Sequence, residues 1–318
     1  MSSIDHDLKG YRIKSVAQMT GLTAHAIRKW EQRYQLLTPQ RGENGYRVYS
    51  DEDLQLLMYV KAQLESGKTI GQLAARGPDT LKETITAEPV DVSDIPRELR
   101  ERALRIVQAA RNRDHSQVEA ILQHTFRELG YDQACERCFF PLLRITGELW
   151  HDGKMSLSSE HLISQTIRRL LAEATLPLKE RHQGPTAIVG CLPNDFHDIG
   201  AMTAAGLLHR NGWRTFYIGP SRDMELIHLA CVKRKSTLVL LASVIEQSPE
   251  DMKDILFYIT TYLLPITTVM VGGSGSLLYR DWLEKKGIHV IKDMIGLQTL
   301  TPTMFESHRH LRETIPRN

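Results

Sequence analysis

From about residue 184 onward, apolar runs of strand length alternate with stretches of helical spacing. The runs are TAIVGCL, RTFYIG, TLVLLASV, TTVMVGG and HVIK. Strands that alternate with helices predict a doubly wound sheet of about five parallel strands. Upstream the period lengthens. ELRERALRIVQAARN places Leu99, Ala103, Ile106, Val107 and Ala110 on one face, and HSQVEAILQHTFRELG does the same with Val118, Ile121, Leu122 and Phe126 before stopping at Gly130. A third helix is expected over about 132–150, and a fourth from Ser158 or Ser159, either a natural N-cap. Helices with short joins predict a four-helix bundle.

Nearer the N-terminus, Ile13, Val16, Ala17 and Met19 predict a short helix, Gly21 a tight turn, and Thr23 the N-cap of a second helix from Ala24. Two such helices form a helix-turn-helix. After Pro39, Gly42 and Gly45 bracket a turn and YRVY alternates like a strand, which predicts a hairpin wing. Between the wing and the bundle lies a stretch rich in Pro, Thr and Asp with little periodicity, expected to be a linker. The expected organisation is residues 1–77, a linker over 78–95, a bundle over 96–182 and the sheet over 183–318.

Length and charge sharpen this picture. A chain of 318 residues is long enough for two or three domains, and 42% hydrophobic with 25% charged residues is ordinary for a soluble protein. The net charge is only +2, yet Gly10 to Tyr49 holds seven basic and two acidic residues, a local +5. The second helix exposes Arg28, Lys29 and Arg33, a face suited to a major groove, and such a patch makes salt-sensitive phosphate contacts. No run of about 20 apolar residues exists, so no transmembrane helix is expected, and MSSIDHDLKGYRIK lacks an apolar signal core. Four cysteines do not make a disulfide framework, which fits a reducing cytosol. Cys135 and Cys138 form a CxxC inside the third helix; with no second pair to complete a zinc site they read as incidental helix residues.

The run RKWEQRY, followed by Pro39, Arg41 and GYRVYSDEDL, closely resembles the winged helix-turn-helix of MerR-type regulators over residues 11–77. The resemblance implies DNA contacts from Arg28 and Arg33 on the second helix. It implies others from Arg41, Tyr46, Arg47 and Tyr49 in the wing. Trp30 stands where the family usually has tyrosine. Such proteins bind palindromic promoter DNA as dimers, and many carry an effector domain behind the DNA-binding part.

The loop after the first strand of the sheet reads NDFHDIG. In parallel α/β sheets ligands lie beyond the carboxyl ends of the strands. His197 lies just past the first strand, Ser243 near the end of the third, and Gly272 and Gly273 end the fourth. A histidine there can bind a metal through one ring nitrogen while Asp195 accepts from the other and fixes the tautomer. Gly200 would allow close approach of a helix or ligand. On these residues alone, a plain loop histidine with Asp195 as a cap stands equally well. Likewise Trp150, beside Glu160 and His161 at the turn between the third and fourth helices, reads on its own as a packing staple.

The spacing goes further. Asp195-x-His197-x-x-Gly200 is followed by 42 residues, then Ser243-Val244-Ile245, then 26 residues and Gly272-Gly273. This resembles the DxHxxG…SxL…GG signature of cobalamin-binding modules, with Ile245 for the usual leucine. The resemblance implies a flavodoxin-like domain in which His197 is the lower axial ligand of cobalt and Asp195 its partner. It also implies that Ser243 contacts the base of the cofactor's tail and that the two glycines leave room for it. Trp150, nine residues, then Glu160-His161 resembles the signature of cobalamin photoreceptors of the CarH and LitR type. In that family the bundle caps the upper face of adenosylcobalamin. The implied roles are Trp150 over the adenosyl group, Glu160 hydrogen-bonded to it, and His151 as candidate upper ligand after photolysis. The resemblance covers nearly the whole chain and implies a bacterial, cytoplasmic repressor rather than an enzyme. In the dark it is loaded, tetrameric and bound to its promoter, and light releases it. The alternative is a non-photic regulator of MerR type that senses cobalamin or represses without it.

Overall fold

A computed structural model describes residues 10–42, 44–175, 184–221 and 223–300. The chain forms two units, residues 1–166 and 167–318.

The first unit begins with β1 (Tyr11–Arg12), α1 (Ile13–Thr20) and α2 (Ala24–Tyr34). Gly21, at φ 68°, ends α1 in the left-handed conformation, and Thr23 caps α2 by accepting from Ala26 N at 3.1 Å. The wing is β2 (Gln40–Arg41) and β3 (Arg47–Tyr49), and β1 completes an antiparallel sheet in the order β1-β3-β2. Ser50 and Asp53 form a capping box that opens α3 (Asp51–Glu65); α4 (Ile70–Ala74) follows. Val16, Ile27, Trp30, Tyr49, Leu54 and Leu57 make the shared core, so Trp30 is a structural anchor.

The first part of the segment expected to be a linker is helical instead. Residues Pro78–Ala87 form α5, with Pro78 in its first turn. Leu81 and Ile85, one turn apart, are 0% and 3% exposed and belong to the winged-helix core. Two apolar positions at i and i+4 suffice to pin a short helix, but they are too few to register as periodicity in a polar stretch.

The bundle helices are α6 (Arg97–Arg111), α7 (His115–Ala134), α8 (Phe140–His151) and α9 (Leu157–Thr175). The apolar residues assigned to α6 are all buried. Gly130 has φ 73° and ψ 175°, non-helical values that break α7 into two helices at the expected stop. Cys135–Phe139 is one turn of π-helix leading into α8, and both cysteines in it are buried thiols. Burial pushes the Cys138 thiol up to about 11, which fits a packing role. Helix α9 starts at Leu157, just ahead of the expected Ser158 or Ser159, with Ser159 N donating to Ser156 Oγ at 3.3 Å.

In the second unit the five predicted strands are β4 (Thr186–Cys191), β5 (Arg214–Gly219), β6 (Leu238–Ala242), β7 (Thr268–Gly272) and β8 (His289–Ile291). All pair in parallel, in the order β5-β4-β6-β7-β8. Helices α10 (Ile199–Arg210), α11 (Met224–Arg234) and α12 (Pro249–Tyr258) connect them; α13 (Ser274–Leu277) and α14 (Arg280–Glu284) precede β8. One core lies on each face of the sheet, around Ile188, Val239 and Val269 on one side and Val189, Leu240 and Met270 on the other. The order reverses direction at β4, so the loops after β4 and β6 flank a topological switch point, where open α/β sheets bind ligands. The expected domain boundary at residue 183 lies outside the described residues. Among the described residues no helix is long and apolar enough to cross a membrane.

Candidate functional site

The loop after β4 is organised by one buried carboxylate. Asp195 is 0% exposed. Its Oδ1 accepts from His197 N and His197 Nδ1, both at 3.0 Å. Its Oδ2 accepts from Val244 N and from Ile245 N, the latter at 3.1 Å, which ties the loop to the end of β6. Burial pushes the Asp195 pKa up, but these hydrogen bonds together outweigh it and hold the carboxyl below its usual range. An ionised carboxylate only accepts, so His197 Nδ1 carries the proton and the ring's lone pair is on Nε2. The imidazole is 61% exposed, and beside it Phe196 and Val244 expose apolar surface at 55% and 38%. An imidazole nitrogen of the kind that can ligate a transition metal therefore stands at the sheet edge, set in one tautomer, on an apolar rim.

Next to it the end of β6 packs closely against glycines. Ser243 is fully buried, and its Oγ has no hydrogen-bond partner among the described residues. An unpaired buried hydroxyl costs free energy unless something completes it. Gly273 has φ 105°, and a Cβ there would stand 2.5 Å from Ser243 O. A Cβ on Gly275 would stand 2.9 Å from Ser243 Oγ. Gly272 packs beside Ile291, and a Cβ on Gly200, in the first turn of α10, would point into open space. Asp195, His197, Ser243, Val244, Gly272 and Gly273 thus meet at one edge, as their spacing predicts. The exposed imidazole and the buried hydroxyl without a partner among the described residues fit a cobalamin, which His197 would hold through a ring nitrogen and to which Ser243 would offer its hydroxyl.

A group absent from the sequence reading supports the same loop. Asp198 is 8% exposed and accepts from Arg168 Nε at 3.1 Å and from the Tyr217 hydroxyl at 2.8 Å. Burial, then the bond to Asp198, raises the Tyr217 pKa. Arg168 and Tyr217 lie 30 and 19 residues from Asp198, and only the adjacency of Asp198 to His197 hinted at them.

The bundle carries its own cluster. Trp150 and His151 end α8, which closes with a Schellman motif: Gly153 N donates to Trp150 O at 2.9 Å and Lys154 N to Leu149 O at 2.7 Å. The Trp150 Nε1–H is buried with no acceptor among the described residues. Glu160 opens α9, its side chain 18% exposed, with Oε2 2.6 Å from His161 Nδ1. His151 is exposed.

On the winged helix, Arg28, Lys29, Arg33 and Arg41 are exposed, and Tyr46 is 66% exposed at the tip of the wing. Arg41 Nη1 donates to Gly45 O at 3.0 Å and closes the wing's turn. Two expected DNA contacts sit differently. Tyr49 is 0% exposed in the core and its hydroxyl bonds Glu31, so it builds the wing rather than its surface. Burial, then Glu31, pushes its phenol up to about 12. Arg47 is half-buried, with Nε 2.8 Å from both Glu31 oxygens, a pair that joins β3 to α2.

Residues 11–75 match the model of the MerR HTH family of regulatory proteins, and residues 103–174 match that of the B12 binding domain. With the parallel sheet, this defines the class: a DNA-binding transcription regulator of MerR type with a cobalamin-binding region. The chain is 30% identical over 290 residues to the HTH-type transcriptional repressor CarH of Myxococcus xanthus, covering 89% of this chain and 95% of that one. It is 29% identical over 267 residues to the repressor CarA of the same organism, covering 83% and 87%. It belongs to the family of CarH and CarA and is a transcriptional repressor related to them. Among solved structures, the monomethylamine corrinoid protein of Methanosarcina barkeri shares the fold, with a TM-score of 0.53 at 16% identity over 65% of this chain and 99% of that one.

Proposed function

We propose that this repressor is a light receptor that takes adenosylcobalamin as chromophore and holds promoter DNA in the dark as a homotetramer. The observation that carries the reading is the Asp195–His197 pair, which fixes an exposed imidazole in one tautomer at the sheet edge where the buried Ser243 hydroxyl has no partner among the described residues. His197 holds the cofactor from below through Nε2, and Asp195 keeps the opposite nitrogen protonated. Ser243 contacts the base of the tail, while Gly200, Gly272 and Gly273 leave space for it. Trp150 packs over the upper group, its indole N–H supplying a donor, and Glu160 accepts from that group's hydroxyls with His161 beside it. His151, exposed beside Trp150, would be the residue available to bind the cofactor once the upper group is lost. Bound adenosylcobalamin supplies a cobalt–carbon bond that visible light breaks. Arg28 and Arg33 reach the major groove of a palindromic operator, and Arg41, Tyr46 and the remaining guanidinium nitrogens of Arg47 grip the backbone.

The test is a mixture of purified protein, adenosylcobalamin and promoter DNA, followed by gel shift and by sedimentation in darkness and after green light. The expected result is a tetramer–DNA complex in the dark that falls apart on illumination. A complex indifferent to both cofactor and light would overturn the reading in favour of a cofactor-independent repressor. One that responds to cobalamin but not to light would leave a vitamin sensor.

A further inference from the structure

The turn between α8 and α9 faces two ways. Its ends carry Trp150, His151 and Glu160, while its middle is seated on the winged-helix domain. A Cβ on Gly153 would stand 2.1 Å from Tyr59 N, 2.5 Å from Tyr59 Cα and 2.7 Å from Gln55 O. The turn therefore touches the backbone of α3 directly, and glycine at φ 68° is the residue that permits it. Met155 is fully buried, and Leu157 packs against the core that holds Tyr49, Leu54 and Leu57. Ser158 Oγ donates to Asp51 Oδ2 at 2.6 Å, at the start of α3.

A polar hub closes the contact. Glu88, which ends α5, accepts from the Tyr59 hydroxyl at 3.1 Å and pairs with Lys154 Nζ at 3.2 Å. Arg111 of α6 donates to Lys154 O at 3.0 Å, and Arg113 pairs with Glu52 of α3. Five elements (α3, α5, α6, α8 and α9) thus converge on one short turn.

We infer that this turn is a clamp through which the occupancy of the upper cobalamin pocket sets the posture of the DNA-binding domain. The inference rests on the proposed function above. Gly153 is three residues from Trp150, and both bonds of the Schellman motif lock the two into one rigid piece. A glycine against a helix backbone has no side chain to deform, so a shift of the end of α8 is passed to α3 or breaks the contact. The clamp has two arrangements, seated and released, and a group under Trp150 biases them by its differential contact with each.

The experiment is amide hydrogen exchange on the full chain with adenosylcobalamin, in darkness and after light, together with promoter affinity in the same states. In the wild type, exchange at residues 55–59 rises on illumination, on the order of tenfold. In Gly153→Val those amides exchange fast in both states. The variant's cobalamin affinity stays within about twofold, and its promoter affinity ceases to depend on light. Where Gly153→Val does not fold, the pair Glu88→Gln with Ser158→Ala, which removes only side-chain contacts, carries the same test. Exposed α3 amides in a variant whose promoter affinity still follows the cofactor would overturn the clamp alone. So would wild-type α3 exchange that is equal in both states. A wild type whose promoter binding ignores cobalamin and light overturns the proposed function, and the clamp's regulatory role with it.

Discussion

Replacing Asp195 with asparagine keeps the shape of the side chain and removes one acceptor. The carboxylate takes four donors, two on each oxygen, in a fully buried position. An asparagine whose amide nitrogen faces Val244 and Ile245 leaves two backbone N–H groups against a donor. One whose nitrogen faces His197 strands the His197 N–H and makes Nδ1 the acceptor, which moves the ring proton to Nε2 and removes the lone pair a metal needs. At about 1–3 kcal/mol for each buried donor left unpaired, the apo protein loses roughly 3 kcal/mol. For a unit of this size that is a fall of about 6–12 °C in Tm. Cobalamin affinity falls about 10–100-fold, the usual effect of losing the partner of a ligating histidine. Thermal unfolding by circular dichroism reads the first effect, and titration with cobalamin in the dark, followed by absorption, reads the second. The pH dependence has a definite sign. A carboxyl held below its unfolded pKa stabilises the fold above about pH 4, and that contribution is lost as pH falls through the folded value. The gap between wild type and variant is therefore full near neutrality and closes in acid. A variant that melts with the wild type and binds cobalamin within twofold would refute the assignment of Asp195.

Ser243→Ala removes an unpaired buried hydroxyl, so apo stability holds or rises by up to about 1–3 kcal/mol while cobalamin affinity falls; chemical denaturation and titration separate the two. Arg47→Ala weakens promoter binding and lowers the slope of log affinity against log salt by about 1, measurable by gel shift across a salt series, and among the described residues it leaves the Tyr49 hydroxyl to hold the wing to Glu31. Leu81→Ala destabilises the winged helix by about 2–4 kcal/mol, whereas a linker residue would cost under about 0.5 kcal/mol. Trp150→Ala reduces the preference for adenosylcobalamin over methylcobalamin, and unchanged discrimination counts against an upper pocket at α8.

How far the sequence reaches depends on the range of the contact. All five strands of the sheet were visible, because apolar runs bounded by turns report burial directly. The Asp195–His197 pair was visible because its members are two residues apart in a loop whose position follows from the strand before it. Thr23 as a cap, and Gly130 as a break, are likewise decided within one turn of backbone. The burial of Tyr49 is not legible in the sequence, for the opposite reason. Alternation along YRVY says that every second residue faces one way, but not which face meets α2. The acceptor that draws both Arg47 and Tyr49 inward, Glu31, lies 16 and 18 residues away. A wing rich in basic and aromatic residues looks like a DNA surface whether or not some of them are spent on holding the wing to its helix.

The turn at Gly153 carries more than its motif suggests. Trp150, Glu160 and His161 are recognisable as a pattern, yet the residues between them bond to partners such as Asp51, 107 residues from Ser158. Contacts of that range leave no trace in local periodicity, and α5 was missed in the same way because Leu81 and Ile85 bury against helices far from them in sequence. Both features belong to one surface: α5 ends at Glu88, the residue that Lys154 and Tyr59 share. The segment that looked like a flexible tether is a fixed strut, and it holds the turn below Trp150 against α3. A tether would let the winged helix search for DNA independently of the bundle. A strut makes the posture of α3 depend on where the end of α8 sits, which is the physical condition for a signal at one site to be felt at the other.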